Sequence, residues 1–418
     1  MKKNILVVAG DPSGDLHGSH LIRALKRSAG NLRVTGVGGP MMREVCDEFM
    51  HDLASLGVTG FWEPIKRLPL WAGLLRKLGR WMDREKPAAL ITIDFYGFNH
   101  QVLQLARKRR LNAFYYISPQ VWASRSGRIR RLAGLVRHML VIFPFEEEIY
   151  RKAGVPCTFV GHPLLEILPA VERLPGPRRG EGAVWNIGLL PGSRPAEIRR
   201  HLPVFLKAVE LLSRADASAP FAELRGPGCA GGAAAVRQVR AVLFAPPGST
   251  EESFRQYRRN TSVDFEFVGR TRHYERRAEM DLAITSSGTA TLENALLGIP
   301  MVVVYKLSWL SYRIAKSLIQ VPFISMANIL AQKAVVPELI QGGATAPRIA
   351  EEAVKILRSP ERLRRMREEL LSLRRLLGSP GCSERAAQVI LDAVVSQTAS
   401  PPAQPGPLSS AKGAAARR

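Results

Sequence analysis

Asp94 closes the apolar run Leu90-Ile-Thr-Ile-Asp94. A carboxylate there lies at the ligand side of an open α/β sheet rather than in its core. Partial removal from water lifts its pKa toward working pH, which suits a general base. Strand-end aspartates also cap the turn that follows them, so both roles are open at this position. Two other segments have the composition of anion sites: Leu190-Pro-Gly-Ser-Arg194 ends one apolar run, and Ser286-Ser-Gly-Thr-Ala-Thr-Leu-Glu293 follows another. Their small residues let backbone N–H groups at a helix start approach a phosphate closely. Ser193 offers such an amide, and Arg194 adds a permanently charged bidentate group for a diphosphate, with a loop-capping surface arginine as the alternative. Ser287, Gly288, Thr289 and Ala290 open the other helix, and Glu293 lies one turn further on the face of Thr289. A carboxylate placed there can accept from both hydroxyls of a ribose whose diphosphate rests on the helix end.

A third glycine loop, Gly10-Asp-Pro-Ser-Gly-Asp-Leu-His-Gly18, contains Ser13, Gly14 and Asp15. It matches neither the dinucleotide fingerprint nor a P-loop, and fits a ligand-binding turn and a purely structural one equally well. His17, His20 and His100 have no partner at metal-ligand spacing, and His162 in Gly161-His-Pro163 fits a brace between domains. No metal site is expected. Cys46, Cys157, Cys229 and Cys382 are scattered, a pattern of a reducing cytoplasm rather than a disulfide framework.

Repeated strand–helix units must position these residues. Asn4–Ala9 is a continuous apolar run closed by glycine and followed by a helical pattern over Leu16–Leu25. Arg33–Val37, Ala88–Ile93, Asn112–Ile117, His138–Phe143 and Thr158–Val160 read as further strands. A Pro-, Gly- and charge-rich stretch from Leu168 to Ala183 separates a second series: Val184–Leu190, Phe221–Arg225, Val242–Ala245, Phe265–Val268, Leu282–Thr285 and Met301–Tyr305. The expected fold is α/β, with two Rossmann-like, doubly wound lobes facing a central cleft. The lobes span 1–168 and 184–348, helices over 349–396 pack back on a lobe or exchange in a dimer, and 397–418 form a disordered tail.

Sixty Lys and Arg against 36 Asp and Glu give a formal charge of +24, a long-range attraction for nucleic acid, anionic lipid or phosphorylated substrates. No DNA- or RNA-binding signature accompanies it, so no nucleic-acid partner is expected. The opening apolar run is too short for a secretory signal, and no segment reaches the roughly 20 apolar residues of a membrane span.

Together these residues resemble lipid A disaccharide synthase, a family of inverting glycosyltransferases with the two-lobed GT-B fold. The resemblance runs from the first strand to about Val395. It is carried by Ser13-Gly-Asp15, Ile117-Ser-Pro-Gln-Val-Trp122, Phe143-Pro-Phe-Glu146, Val160-Gly-His-Pro163, Leu190-Pro-Gly-Ser-Arg194, Ser287-Gly-Thr-Ala290 with Glu293, and Asn328-Ile-Leu330. It implies transfer from UDP-2,3-diacylglucosamine to the 6-hydroxyl of 2,3-diacylglucosamine 1-phosphate (lipid X), without metal or other cofactor. Asp94 then resembles the essential acid, Arg194 the diphosphate contact and Asn328 a further active-site residue, while Ser13, Gly14, Asp15, Ser118, Gln120 and Trp122 fall on the acceptor side. Gly97 stands where the family usually has a second carboxylate, and Ser124 where a second tryptophan often follows. Other GT-B enzymes, such as a lipid-linked N-acetylglucosaminyl transferase or a UDP-sugar epimerase, share the donor-lobe pattern but not the first-lobe motifs.

Acylated substrates imply a membrane surface. Trp71, Leu74, Leu75, Leu78, Trp81 and Met82 follow helical spacing, with Arg76, Lys77, Arg80 and Arg84 on the other side. By periodicity this fits an interfacial helix or one covering the first sheet. The net charge and the implied lipid substrates favour the interface, giving an enzyme held peripherally on the inner face of the cytoplasmic membrane.

Overall fold

The computed structural model describes residues 3–56, 68–119, 127–169, 184–214, 239–246, 249–269, 273–307, 312 and 322–395. The chain divides into two compact units, Met1–Val160 with the segment from Cys382, and Gly161–Gly381. The strand expected at Phe221–Arg225, Gln120, Trp122 and the 397–418 tail lie outside the described residues.

The first unit holds seven strands: β1 (Lys3–Ala9), β2 (Leu32–Gly38), β3 (Glu48–Asp52), β4 (Ala89–Ile93), β5 (Ala113–Tyr116), β6 (His138–Val141) and β7 (Cys157–Phe159). Their order is β3-β2-β1-β4-β5-β6-β7, and every pairing is parallel. β1 and β4 are buried along most of their length because helices cover both faces, which explains their unbroken apolar runs. β3, Glu-Phe-Met-His-Asp, is a half-buried strand without apolar alternation, and periodicity gave no sign of it. Chain order reverses between β1 and β4, whose Ala9 and Ile93 are paired in register. Both are the last residues of their strands, so Gly10 and Asp94 leave the sheet side by side.

The second unit repeats the plan with β8 (Trp185–Leu190), β9 (Val239–Phe244), β10 (Phe265–Val268), β11 (Leu282–Ser286), β12 (Met301–Tyr305) and β13 (Glu338–Ile340). The parallel order β10-β9-β8-β11-β12-β13 places the reversal between β8 and β11. The segments ending at Arg194 and beginning at Ser286 therefore emerge from adjacent strands. Helices Ala346–Leu357 and Pro360–Leu376 belong to this unit, where Arg374 donates to the carbonyl of Leu296 (2.6 Å). The Cys382–Val395 helix belongs to the first: Tyr116 Oη lies 3.2 Å from Cys382 Sγ, and Arg385 Nε donates to the carbonyl of Val160 (2.8 Å).

The structure corrects the membrane face. In the Leu68–Glu85 helix, Leu74, Leu78 and Trp81 are 5%, 0% and 4% exposed and join the core around Leu6, Leu90 and Val102, with Trp71 and Leu75 packed against it. An apolar stripe on a helix beside a sheet is buried by that sheet, and periodicity cannot distinguish this from burial in lipid. Leu78→Ala is expected to lower the unfolding free energy by about 2–5 kcal/mol, the usual range for a buried leucine truncated to alanine. A urea midpoint unchanged from wild type would show that this face is not core.

Candidate active site

In the first unit the site is built at the end of β4. Asp94 and Phe95 both adopt left-handed backbone angles, φ 43° and 44°, each costing on the order of 1–3 kcal/mol for a residue with a side chain. Three hydrogen bonds fix this turn. Tyr115 Oη donates to the carbonyl of Asp94 (2.5 Å), and Asn99 Nδ2 donates to the carbonyls of Ile93 (2.9 Å) and Asp94 (2.8 Å). The ring of Phe95 then lies over Gly10, where an added Cβ would be 2.0 Å from Phe95 Cδ1. Gly10 is required by this close approach. Trp71 closes the far side, edge-on to Phe95 at 6.1 Å and to Phe98 at 5.7 Å.

Three carboxylates come together electrostatically here. Burial lifts the Asp94 carboxyl to about 7, aided by the negative charges of Asp11 and, less, Glu146, and opposed by a hydrogen bond from the Phe95 amide. Asp11 is raised as well, mainly by burial, although it caps the Pro12–Ser28 helix by accepting from the Gly14 amide (2.6 Å). Glu146 is fully buried and accepts from Ser118 Oγ (2.6 Å) and the Phe143 amide (3.1 Å). Asp11 and Glu146 were missed as modulators because each sits in a turn motif whose side chain reads as a helix cap.

Asp15 is corrected to a structural part. Its buried carboxylate accepts from the amides of Gly39 (2.8 Å), Met41 (3.0 Å) and Met42 (2.9 Å), tying the turn after β2 to the first helix. Gly14 is buried beneath it, Ser13 is exposed at the helix start, and Ser118 is committed to Glu146. Gly97 is exposed, and among the described residues a Cβ there would touch only Trp71, at 3.9 Å. The missing second carboxylate is therefore not a steric requirement.

In the second unit, Gly192 with φ +121° turns the chain after β8. The amides of Ser193 and Arg194 already face an anion, Glu197, whose Oε2 accepts from them at 3.2 and 3.4 Å while Arg194 Nη1 donates to Oε1 at 3.0 Å. A diphosphate bound here must displace that carboxylate. Fully buried His201 braces the same loop: Nδ1–H donates to the carbonyl of Pro191 (2.8 Å), and Nε2 accepts from the Lys306 amide (3.0 Å). The adjacent strand end is open. Gly288, φ +147°, begins the Thr289–Leu296 helix with nothing among the described residues within 4 Å of a Cβ position. Gly288 and Thr289 are exposed, and Ser287 Oγ donates to the carbonyl of Ile324 (2.7 Å).

Glu293 is held by residues that the sequence did not single out. Arg277, 0% exposed, donates to Glu293 Oε2 (2.6 Å), to Asn294 Oδ1 (2.7 Å) and to the carbonyl of Ala290 (2.8 Å), while Tyr274 Oη donates to Glu293 Oε1 (3.0 Å). Arg277 sits in an arginine-rich helix that reads as a solvated face, so only its burial reveals the role. Asn328, expected as a further active-site residue, clamps the chain at Val335, Val336 and Glu338. Its Nδ2 donates to the carbonyl of Val336 (2.9 Å) and to Glu338 Oε1 (2.8 Å), and its Oδ1 accepts from the amides of Val335 (2.8 Å) and Val336 (3.0 Å). Those contacts use its full donor and acceptor capacity.

The chain matches the Lipid-A-disaccharide synthetase family model over residues 5–221 and 237–392. It belongs to that family. It is 40% identical over 394 residues to "Lipid-A-disaccharide synthase" of Syntrophus aciditrophicus, covering 93% of this chain and 97% of the relative. The Geobacter metallireducens protein of the same name is 38% identical over 399 residues, again at 93% and 97% coverage. A solved structure of UDP-GlcNAc 2-epimerase from Neisseria meningitidis bound to UDP-GlcNAc superposes with TM-score 0.55 at 10% identity, covering 94% of this chain and 99% of that one. That likeness shows the two-lobed α/β fold, whereas the family match favours a UDP-sugar glycosyltransferase over an epimerase.

A base must be unprotonated to act, so kcat/KM is expected to fall tenfold per pH unit below the Asp94 value of about 7. A profile flat from pH 5 to 8 would remove Asp94 from that role.

Proposed function

We propose that the chain transfers the sugar of UDP-2,3-diacylglucosamine to the 6-hydroxyl of 2,3-diacylglucosamine 1-phosphate. The products are UDP and, with inversion, the β(1→6)-linked lipid A disaccharide 1-phosphate. The observation that carries this reading is a carboxyl held in a fixed turn at the point where strand order reverses, in a chain of the Lipid-A-disaccharide synthetase family. Asp94 takes the proton from the acceptor 6-hydroxyl as its oxygen attacks the donor's anomeric carbon, and the sugar–phosphate bond breaks with its electrons leaving on UDP. Arg194, the amides at Ser193 and the helix start at Gly288 and Thr289 meet that developing charge. Ser287 and Ala290 shape the helix opening. Glu293 retains free lone pairs for the ribose hydroxyls, since its two known partners use one site on each oxygen. Asn328 acts as a positioning residue through Glu338 and the 333–336 loop.

Membrane association forms part of this reading. No helix among the described residues is long and apolar enough to cross a bilayer, so acylated substrates are reached at its surface. The net charge of +24 and the exposed Arg76, Lys77, Arg80 and Arg84 draw the chain to anionic headgroups on the cytoplasmic side. A homodimer exchanging the Cys382–Val395 helix would reuse its seat on the Pro12–Ser28 helix.

Asp94→Asn keeps the shape of the side chain and removes the proton acceptor, so turnover should drop by roughly 10²–10⁴ with unchanged UDP affinity. Near-normal turnover would assign the base elsewhere. Arg194→Ala should weaken UDP binding by about 1.5–3 kcal/mol, the worth of a hydrogen bond to a charged group. Unchanged affinity by calorimetry would move the diphosphate to another site.

A further inference from the structure

We propose that Tyr274 and Arg277 are positioning residues that make the nucleotide site selective for a ribonucleotide over its 2′-deoxy form, by fixing the carboxylate of Glu293 in place. The inference rests on the UDP placement proposed above. Both residues come from the His273–Ala278 helix. Arg277 donates from Nη1 to Glu293 Oε2 (2.6 Å), from Nη2 to the carbonyl of Ala290 (2.8 Å) and from Nε to Asn294 Oδ1 (2.7 Å). All three acceptors belong to the Thr289–Leu296 helix. Ala290 lies in its first turn and Glu293 three residues on, about 4.5 Å along the axis. One rigid guanidinium therefore ties the helix opening to the carboxylate, the two points that meet diphosphate and ribose in that placement.

Two observations separate this arrangement from an ordinary buried ion pair. The first is its cost. The Arg277 side chain is 1% exposed, and apolar side chains often replace such a pair with no loss of stability, so packing the two helices does not require it. The second is which member stays within reach. Glu293 keeps 16% of its side chain exposed, on the helix face of the exposed Thr289 one turn earlier. Tyr274 Oη donates to its other oxygen, Oε1 (3.0 Å). Burial, then the charge of Glu293, push that phenol above its ordinary value, so it remains a donor. With one donor on each oxygen the plane of the carboxylate is set, and each oxygen keeps a lone pair. Those two acceptors match the neighbouring hydroxyls of a ribose, and a 2′-deoxyribose leaves one of them unanswered.

The test is calorimetry on the full chain with two ligands, UDP and 2′-deoxy-UDP. Wild type should bind UDP about tenfold tighter or more, the worth of one hydrogen bond to a charged group. Tyr274→Phe keeps the ring and removes the donor; its preference should shrink to about twofold or less while 2′-deoxy-UDP binds as before. Arg277→Lys keeps a charge beside Glu293 but cannot hold the Ala290 carbonyl and Asn294 as well, and its preference should shrink likewise. A merely structural role would lower both affinities equally and leave their ratio in place, so a wild-type ratio in either variant overturns the proposal. Should Arg277→Lys fail to fold, Tyr274→Phe decides alone. Wild type that binds the two nucleotides equally also overturns it, with the UDP placement intact. Wild type that binds neither would refute the placement itself and the inference with it.

Discussion

The left-handed pair Asp94–Phe95 is the constraint around which the first unit is arranged. Two consecutive residues with side chains in that region cost several kcal/mol together. The turn persists because its surroundings over-determine it. Tyr115 and Asn99 grip the Asp94 carbonyl, and Phe95 fills the space that Gly10 leaves empty. Burial of the Asp94 carboxyl at this turn, aided by the charge of Asp11, raises its pKa. The strained turn and the raised carboxyl both lie where a short strand ends at the reversal of strand order.

The second unit uses the same strand order for the opposite electrostatic purpose. Where the first gathers carboxylates, the second presents a guanidinium and two helix starts at adjacent strand ends. Its polar side chains are largely fixed by one another. Glu338 accepts from the Ile324 and Ser325 amides, the Ser325 hydroxyl and Asn328, and Arg277 holds Glu293 from below. Buried pairs of this kind add little net stability, because desolvation offsets their attraction. They hold the polar groups at these strand ends in fixed orientations. Glu197 is an internal anion on the loop after β8, and it keeps Arg194 and two amides oriented.

Much of this was legible in the sequence. Continuous apolar runs ending in glycine or aspartate mark parallel strands, because a strand buried on both faces has no alternation to lose. The ends of β1, β4, β8 and β11 were each visible in that way, and with them Asp94, Arg194 and the Ser287–Ala290 opening. The half-buried β3 and the three-residue β13 were not, since neither carries a periodic signal. Side-chain identity also fixed the kind of chemistry available: one strand-end acid, one bidentate cation and two helix starts.

Tertiary structure decided which polar side chains are free and which are spent. Asn328, Asp15 and Ser118 have the residue types of site groups, yet each has its hydrogen bonds taken up by a loop amide, a turn or a buried acid. Arg277 and Tyr274 show the reverse, because their burial against Glu293 depends on a helix from a distant stretch of chain. The stripe from Trp71 to Trp81 looks the same in sequence whether it meets lipid or a sheet, and only the packing of that helix over Leu6 and Leu90 settled it. Local sequence dictates backbone path and chemical type through short-range sterics and periodicity, whereas burial and partner choice are sums over residues far apart in the chain.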